Sequence, residues 1–175
     1  MRVIGGEFRS RRLKSIPGLD TRPTPDRLRE TLFDILGSRI EGVVFADAYA
    51  GTGSVGVEAL SRGAARAIFI ERSKNAGRVI LENLASLGLE DRALLITSPA
   101  ASALKNCEAD IVFLDPPYAR ETEYASALDA LGERPPMLVI VQHSVRFTPA
   151  ESYGLLRTTR SLKQGDNVLT FYAAG

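Results

Sequence analysis

The sequence predicts an α/β fold: a doubly wound, mostly parallel, seven-stranded sheet that ends in an antiparallel C-terminal hairpin. Three observations predict it. From Val43 on, short apolar runs alternate four times with amphipathic stretches of helical period. A glycine loop follows the first apolar run and opens a helix. The last stretch, GLLRTTRSLKQGDNVLTFYAA, reads as two strands joined directly near Gln164–Asp166.

Each element has its own signal. RVIGGEF and RRLKSI read as two short strands around a turn at Arg9–Ser10. They make a basic hairpin extension over residues 1–20, ahead of a main domain at 21–175. PGLDTRP is a loop. TPDRLRETLFDILGSRI is a helix, with Thr24 as N-cap, Pro25 at the first helical position and Asp26 near the positive end. Its apolar stripe is Leu28, Leu32, Phe33, Leu36 and Ile40. VVFADAYA is a buried strand, SVGVEALSRG a helix closed by Gly63, and AIFIE a strand. Ser73 caps a helix that turns Val79, Ile80, Leu84 and Leu87 inward and stops at Gly88. ALLIT, DIVFLD and PMLVIVQHS are strands, with SPAASALKN and ETEYASALDALGE as the helices between them.

Composition sets outer limits. The 175 residues are 45% hydrophobic and 25% charged, enough for one domain with a real core. No apolar run approaches the 18 or so residues of a membrane span, and MRVIGGEFRSRR lacks the apolar centre of a signal peptide. Cys107 is the single cysteine, so no internal disulfide forms, and a reducing, cytoplasmic setting is expected. The net charge is only +1, but residues 1–30 hold eight Lys/Arg against four acids. That start carries +4 and leaves −3 for the remainder. A basic arm on a slightly acidic body suits a polyanion, although the same charges also suit a solvated surface segment.

DAYAGTGSVG contains Gly51, Gly53 and Gly56 in the G-x-G-x-x-G spacing. Such a loop lets backbone pass close to a ligand without a Cβ clash. Glu71 lies 20 residues after Gly51, at the end of the next strand, where a carboxylate accepts ribose hydroxyls. The loop alone fits either the pyrophosphate of NAD or S-adenosylmethionine. Asp47, at the strand end, favours the latter: a carboxylate repels pyrophosphate and attracts an ammonium group. A purely structural loop cap is the plainer reading of Asp47.

IVFLDPPYAR, residues 111–120, ends a buried strand on a carboxylate. Ligands of open α/β sheets bind outside the carboxyl ends of strands. This strand should lie beside the first, which puts Asp115-Pro116-Pro117-Tyr118 next to the glycine loop. Two prolines fix the backbone and remove two donors. The segment therefore presents acceptors: the Asp115 carboxylate and the Pro116 carbonyl. Tyr118 adds a flat face with a polar tip. Such a site suits a planar molecule bearing an amino group. Holding both amine hydrogens localises the nitrogen lone pair, and catalysis becomes orientation plus charge stabilisation, with no metal. The bland alternative is a strand-ending turn.

These residues carry a resemblance. The D-P-P-Y segment is similar to that of the amino-methyltransferases. More narrowly, RVIGGEFRSRRL, TRPTPDRLRETLFDIL, DAYAGTGSVGVEALSRGA, FIER, FLDPPY, QHS and GDNVLTFY, in that order, resemble the bacterial 16S rRNA guanine-N2 methyltransferase family, which acts on guanine 966. The resemblance covers nearly the whole chain. It implies a Rossmann-like class I fold that uses S-adenosyl-L-methionine. It implies cofactor contacts from Arg22, Pro23, Thr24, Asp47, Tyr49, Ala50, Gly51, Thr52, Gly53, Glu71, Arg72, Ser98 and Asp115. RNA contacts would come from Arg2, Arg9, Arg11, Arg12, Lys14 and His143, with the target base flipped into the pocket. The partner would be small-subunit rRNA or the 30S particle, met by a monomer. Three positions depart from the family pattern: Tyr49 where phenylalanine is usual, Ser98-Pro99 where an acid is usual, and Gln142 before His143-Ser144 where glutamate is usual.

Other functions fit less well. A glutamine-N5 protein methyltransferase shares the P-P-Y geometry but usually opens it with asparagine. A DNA methyltransferase needs a recognition insertion that these short links leave no room for. An NAD-dependent oxidoreductase conflicts with Asp47. A non-catalytic RNA-binding module with a decayed pocket would bind the cofactor without turnover.

Overall fold

The computed structural model describes residues 1–17 and 24–175. Its elements follow the expected alternation. They are α1 (Asp26–Leu36), β1 (Val44–Ala48), α2 (Ser54–Ser61), β2 (Arg66–Ile70), α3 (Lys74–Leu87), β3 (Ala93–Ile96), α4 (Ala100–Leu104) and β4 (Ile111–Leu114). Then come α5 (Glu121–Gly132), β5 (Leu138–Ser144), β6 (Ser152–Tyr153), β7 (Leu156–Gln164) and β8 (Asn167–Ala174). The sheet order is β3-β2-β1-β4-β5-β8-β7-β6. The first five of these strands run parallel, and β8 joins β5 antiparallel. The sheet thus has eight strands where seven are expected. The extra one, β6, is a two-residue edge against β7, too short to leave a periodic signal.

Helices cover both faces. Phe45, Phe113, Ile140 and Leu169 meet α1 and α2 on one face. Ala67 and Phe69 meet α2 and α3 on the same side. The other face presents Ala46, Ala48, Val112, Leu114 and Val139 to α4 and α5. Tyr124, Phe171 and Tyr172 are buried packing residues, as the pattern suggests. Ser73 caps α3 by accepting the Ala76 N–H at 3.3 Å, and Gly88 closes the helix in the left-handed region.

Three local expectations are corrected. Thr24 does not cap α1: the helix starts at Asp26, Pro25 holds the N-cap position, and no side chain caps it. The Thr24 hydroxyl instead donates to Asp115. The basic arm is a hairpin much shorter than two full strands: one antiparallel bridge joins Arg2 and Arg12, with the Val3 N–H on the Arg11 carbonyl and the Leu13 N–H on the Met1 carbonyl, each at 2.9 Å. Beyond that pairing its backbone donors turn to the main domain: the Ile4 and Gly5 N–H groups bond the buried Glu58 carboxylate on α2 at 2.9 and 2.8 Å, and Glu7 N–H bonds the Ser61 carbonyl. Val3 and Leu13 enter the core beside Phe69, Ile80 and Leu84. On α3, Val79 is only half-buried, and the buried position falls to Asn83. Asn83 pins the arm through both amide ends, accepting the Lys14 N–H at 2.7 Å and donating to the Lys14 carbonyl at 3.2 Å.

Candidate active site

The carboxyl ends of the parallel strands open into a cleft of about 460 Å³. Ala48 pairs with Leu114, and Leu114 with Val141, so the chain leaves β1, β4 and β5 at one level. Asp47, Asp115 and Gln142 line the cleft there.

The glycine loop forms one wall. Gly53 sits at φ 80° and donates its N–H to the Ala50 carbonyl at 2.7 Å. At Gly56 an added Cβ would fall 2.3 Å from the Phe69 ring, so α2 meets β2 only because this residue is glycine. Tyr49, a non-glycine residue, takes φ 63°. Its hydroxyl donates to Glu123 on α5 at 2.9 Å, which ties the strained turn to the opposite face. Burial and the Glu123 carboxylate raise the Tyr49 phenol well above its usual range.

Besides Glu123, which Tyr49 engages, three carboxylates line the cleft. Asp47 is buried and accepts the Gly56 N–H at 2.8 Å, so it does cap the loop. Burial pushes its pKa well above the carboxylate range; the Gly56 bond opposes this, and Asp115 and Glu71 add to it. Glu71 holds both sides of its wall, accepting Gly51 N–H at 2.9 Å and Ser73 N–H at 2.8 Å. Asp115 is raised to about 7 by burial, against the Thr24 hydrogen bond at 3.0 Å, which lowers it. No lysine or arginine pairs with these three among the described residues. Carboxylates gathered in a cleft without counter-ions, Asp47 among them buried, favour a cationic ligand.

The described cofactor candidates, Gly53 excepted, all line the cleft. So do Asp115, Pro116, Pro117 and Tyr118. Arg22 and Pro23 lie outside the described residues. The Pro116 carbonyl receives the Tyr124 hydroxyl at a long 3.4 Å and keeps a lone pair. His143 does not line the cleft. Strand alternation turns it to the other face from Gln142, where its ring is buried and Nε2 lies 2.8 Å from Thr170 Oγ1. Direct RNA contact from that ring is therefore excluded in this arrangement, and burial lowers its pKa. The arm cations Arg2, Arg9, Arg11, Arg12 and Lys14 are exposed. Lys14 pairs with Glu82 at 2.8 Å, and Arg11 donates to the Ser86 carbonyl. The arm borders the cleft at Thr52, whose carbonyl accepts from Asn83 and whose hydroxyl lies 3.9 Å from Met1 Sδ. Sequence reasoning missed Glu58, Asn83, Glu123 and Asn167. Only Asn167 had a signal, its place in the GDNVLTFY stretch.

The chain is similar to known proteins along most of its length. Residues 1–173 match the family profile described as conserved hypothetical protein 95. Ribosomal RNA small subunit methyltransferase D of Escherichia coli K12 is 44% identical over 124 residues, a match spanning 69% of this chain and 61% of that protein. YlbH of Bacillus subtilis, provisionally named an rRNA methyltransferase, is 32% identical over 98% of both chains. The solved structure of Escherichia coli yhhF, provisionally described as a methyltransferase, superposes with a TM-score of 0.85 at 34% identity, covering 99% of this chain and 97% of that one. The chain belongs to the conserved hypothetical protein 95 family, together with the ribosomal RNA small subunit methyltransferase D proteins, and is a methyltransferase of class I fold.

Proposed function

We propose that this enzyme methylates the exocyclic N2 amine of a guanine in 16S rRNA, at position 966, within an assembled or partly assembled small subunit. One observation supports this best: Asp115 lies on a stiff D-P-P-Y segment facing the glycine loop, with the Thr24 hydroxyl on its carboxylate. The relatives' names supply the rRNA.

The residues fit S-adenosylmethionine. Its two cationic groups would suit Asp47 and Asp115, which have no lysine or arginine partner among the described residues; Glu71 keeps lone pairs for ribose hydroxyls, and Ser98 and Pro99, on the same cleft wall, would border the adenine. When bound, it supplies an electrophilic methyl on a sulfonium. Asp115 and the Pro116 carbonyl then accept the two hydrogens of the amine and aim its lone pair along the transfer line. Tyr118, 37% exposed, offers the ring against which the base lies. The nitrogen lone pair would take up that methyl, the sulfur keeping the electron pair of the S–C bond. The ionised Asp115 stabilises the positive charge growing on nitrogen, and the acidic ammonium gives its proton to water. With such a substrate the protein would work in the cytoplasm.

The test is methyl transfer from labelled S-adenosylmethionine to small subunits from cells lacking this enzyme, followed by nucleoside analysis. Label in N2-methylguanosine is the expected result. Label in another nucleoside keeps the mechanism and rejects the substrate.

A further inference from the structure

Gln142 carries an unmet hydrogen bond in the wall of the cleft. Its side chain is 3% exposed. Nε2 donates to the Tyr118 phenol oxygen at 3.0 Å, and that phenol donates to Asn167 Oδ1 on β8. Oε1 accepts from no donor among the described residues. The relay explains why the oxygen is the spare end. A phenol has one proton. Given to Asn167, it leaves the Tyr118 oxygen as an acceptor only, so the amide must turn its nitrogen there.

A buried carbonyl without a donor is costly, and a ligand that brings one recovers that cost. The position of Gln142 says which ligand group that is. It stands one step past the Leu114–Val141 pair, level with Asp115 on the adjacent strand. An amine held by Asp115 therefore has its ring neighbour near Gln142. In adenine and cytosine the ring nitrogen beside the exocyclic amine is bare. In guanine one such neighbour is N1–H, a donor. Oε1 repels the first two and accepts from the third.

We propose that Gln142 is the base-reading residue: its Oε1 accepts the N1–H of the target guanine while Asp115 holds the adjacent amine. Tyr118 and Asn167 are positioning residues that fix the amide. The inference rests on the guanine-N2 reading above and adds how the base is chosen.

The test uses small subunits reconstituted from two-piece rRNA. The target nucleotide is either guanosine or 2-aminopurine riboside, which keeps the 2-amine but has a bare N1. The wild-type enzyme prefers guanosine. In Gln142→Leu that preference, as a ratio of kcat/KM values, shrinks roughly 10–100-fold, as expected for one buried hydrogen bond. Gln142→Glu, which keeps an acceptor, retains most of it. Equal losses on both substrates in Gln142→Leu make the residue merely structural and overturn the proposal, as does an unchanged enzyme. If the leucine variant does not fold, Tyr118→Phe decides: it frees the amide to rotate and narrows the preference, whereas an intact preference refutes the relay. A wild-type enzyme that makes no N2-methylguanosine on guanosine subunits fails at the earlier reading instead.

Discussion

Asp115 combines a stability cost with the catalytic use proposed for it. Its folded pKa is about 7, raised mainly by burial, against roughly 3.9 in an unfolded chain. The folded state then binds the proton more tightly, so stability falls as pH rises from about 4 to about 7. Asp115→Asn removes that penalty. Its stability relative to wild type should grow across this window, by a few kcal/mol on the order of the shift, and level off above it; urea melts at pH 4, 6 and 8 measure this. Its methyl transfer should fall by orders of magnitude, and the acid limb of kcat/KM near pH 7 should vanish with it. The same limb in Asp115→Asn would deny the carboxylate its role. Thr24→Val should move that limb upward, because the hydroxyl is what holds the pKa down. Asp115 was legible because its strand, two prolines and tyrosine are contiguous. Thr24 was misread because a threonine before Pro25 looks like a cap, while its partner lies 91 residues away. Asp47 was read for both roles, and the loop-cap bond to Gly56 is one that the structure contains.

Among the elements, α2 joins most parts of the site. Its start closes the glycine loop, and its buried Glu58 and Ser61 hold the arm. The Phe69 ring leaves no room at Gly56, so Gly56→Ala should destabilise by about 1–3 kcal/mol, seen as a lower midpoint in chemical denaturation, with weaker cofactor binding in the same protein. An unchanged midpoint would mean that α2 slides freely over β2. The strands and helices of the sheet were legible because each buries one face with its own period, and the fold's alternation follows from local sequence. The arm was not. Its hairpin pairing is confined to residues 1–3 against 11–13, and past it Glu58 and Asn83 take the donors and acceptors a longer ladder would use. A carboxylate inside a helix pattern does not announce such a partner. Likewise, nothing local to Gln142 shows that Tyr118 and Asn167 converge on it from two other segments.

Across the whole molecule, the arm brings positive charge to the rim that holds the carboxylates. The core shared by Val3, Leu13 and Phe69 fixes it there, and Met1 touches Thr52 on the cleft wall. A polyanion lying on the arm is thus led toward the D-P-P-Y segment. The five arm cations are not equivalent. Arg11 and Lys14 already bond to α3, whereas Arg9 and Arg12 are exposed and have no ion pair among the described residues. The latter two are free to replace counter-ions on phosphates. The Arg9→Ala, Arg12→Ala double variant should weaken binding to small subunits and lower the slope of log K against log salt by about one to two. The matching Arg11, Lys14 variant should change the slope less, since each must first leave a partner. Titrations at several salt concentrations with unmodified subunits separate the two. If neither pair moves the slope, the phosphates lie elsewhere, and the exposed cations of β7, Arg160 and Lys163, become the place to look, because β7 pairs with the strand that brings Asn167 to the cleft.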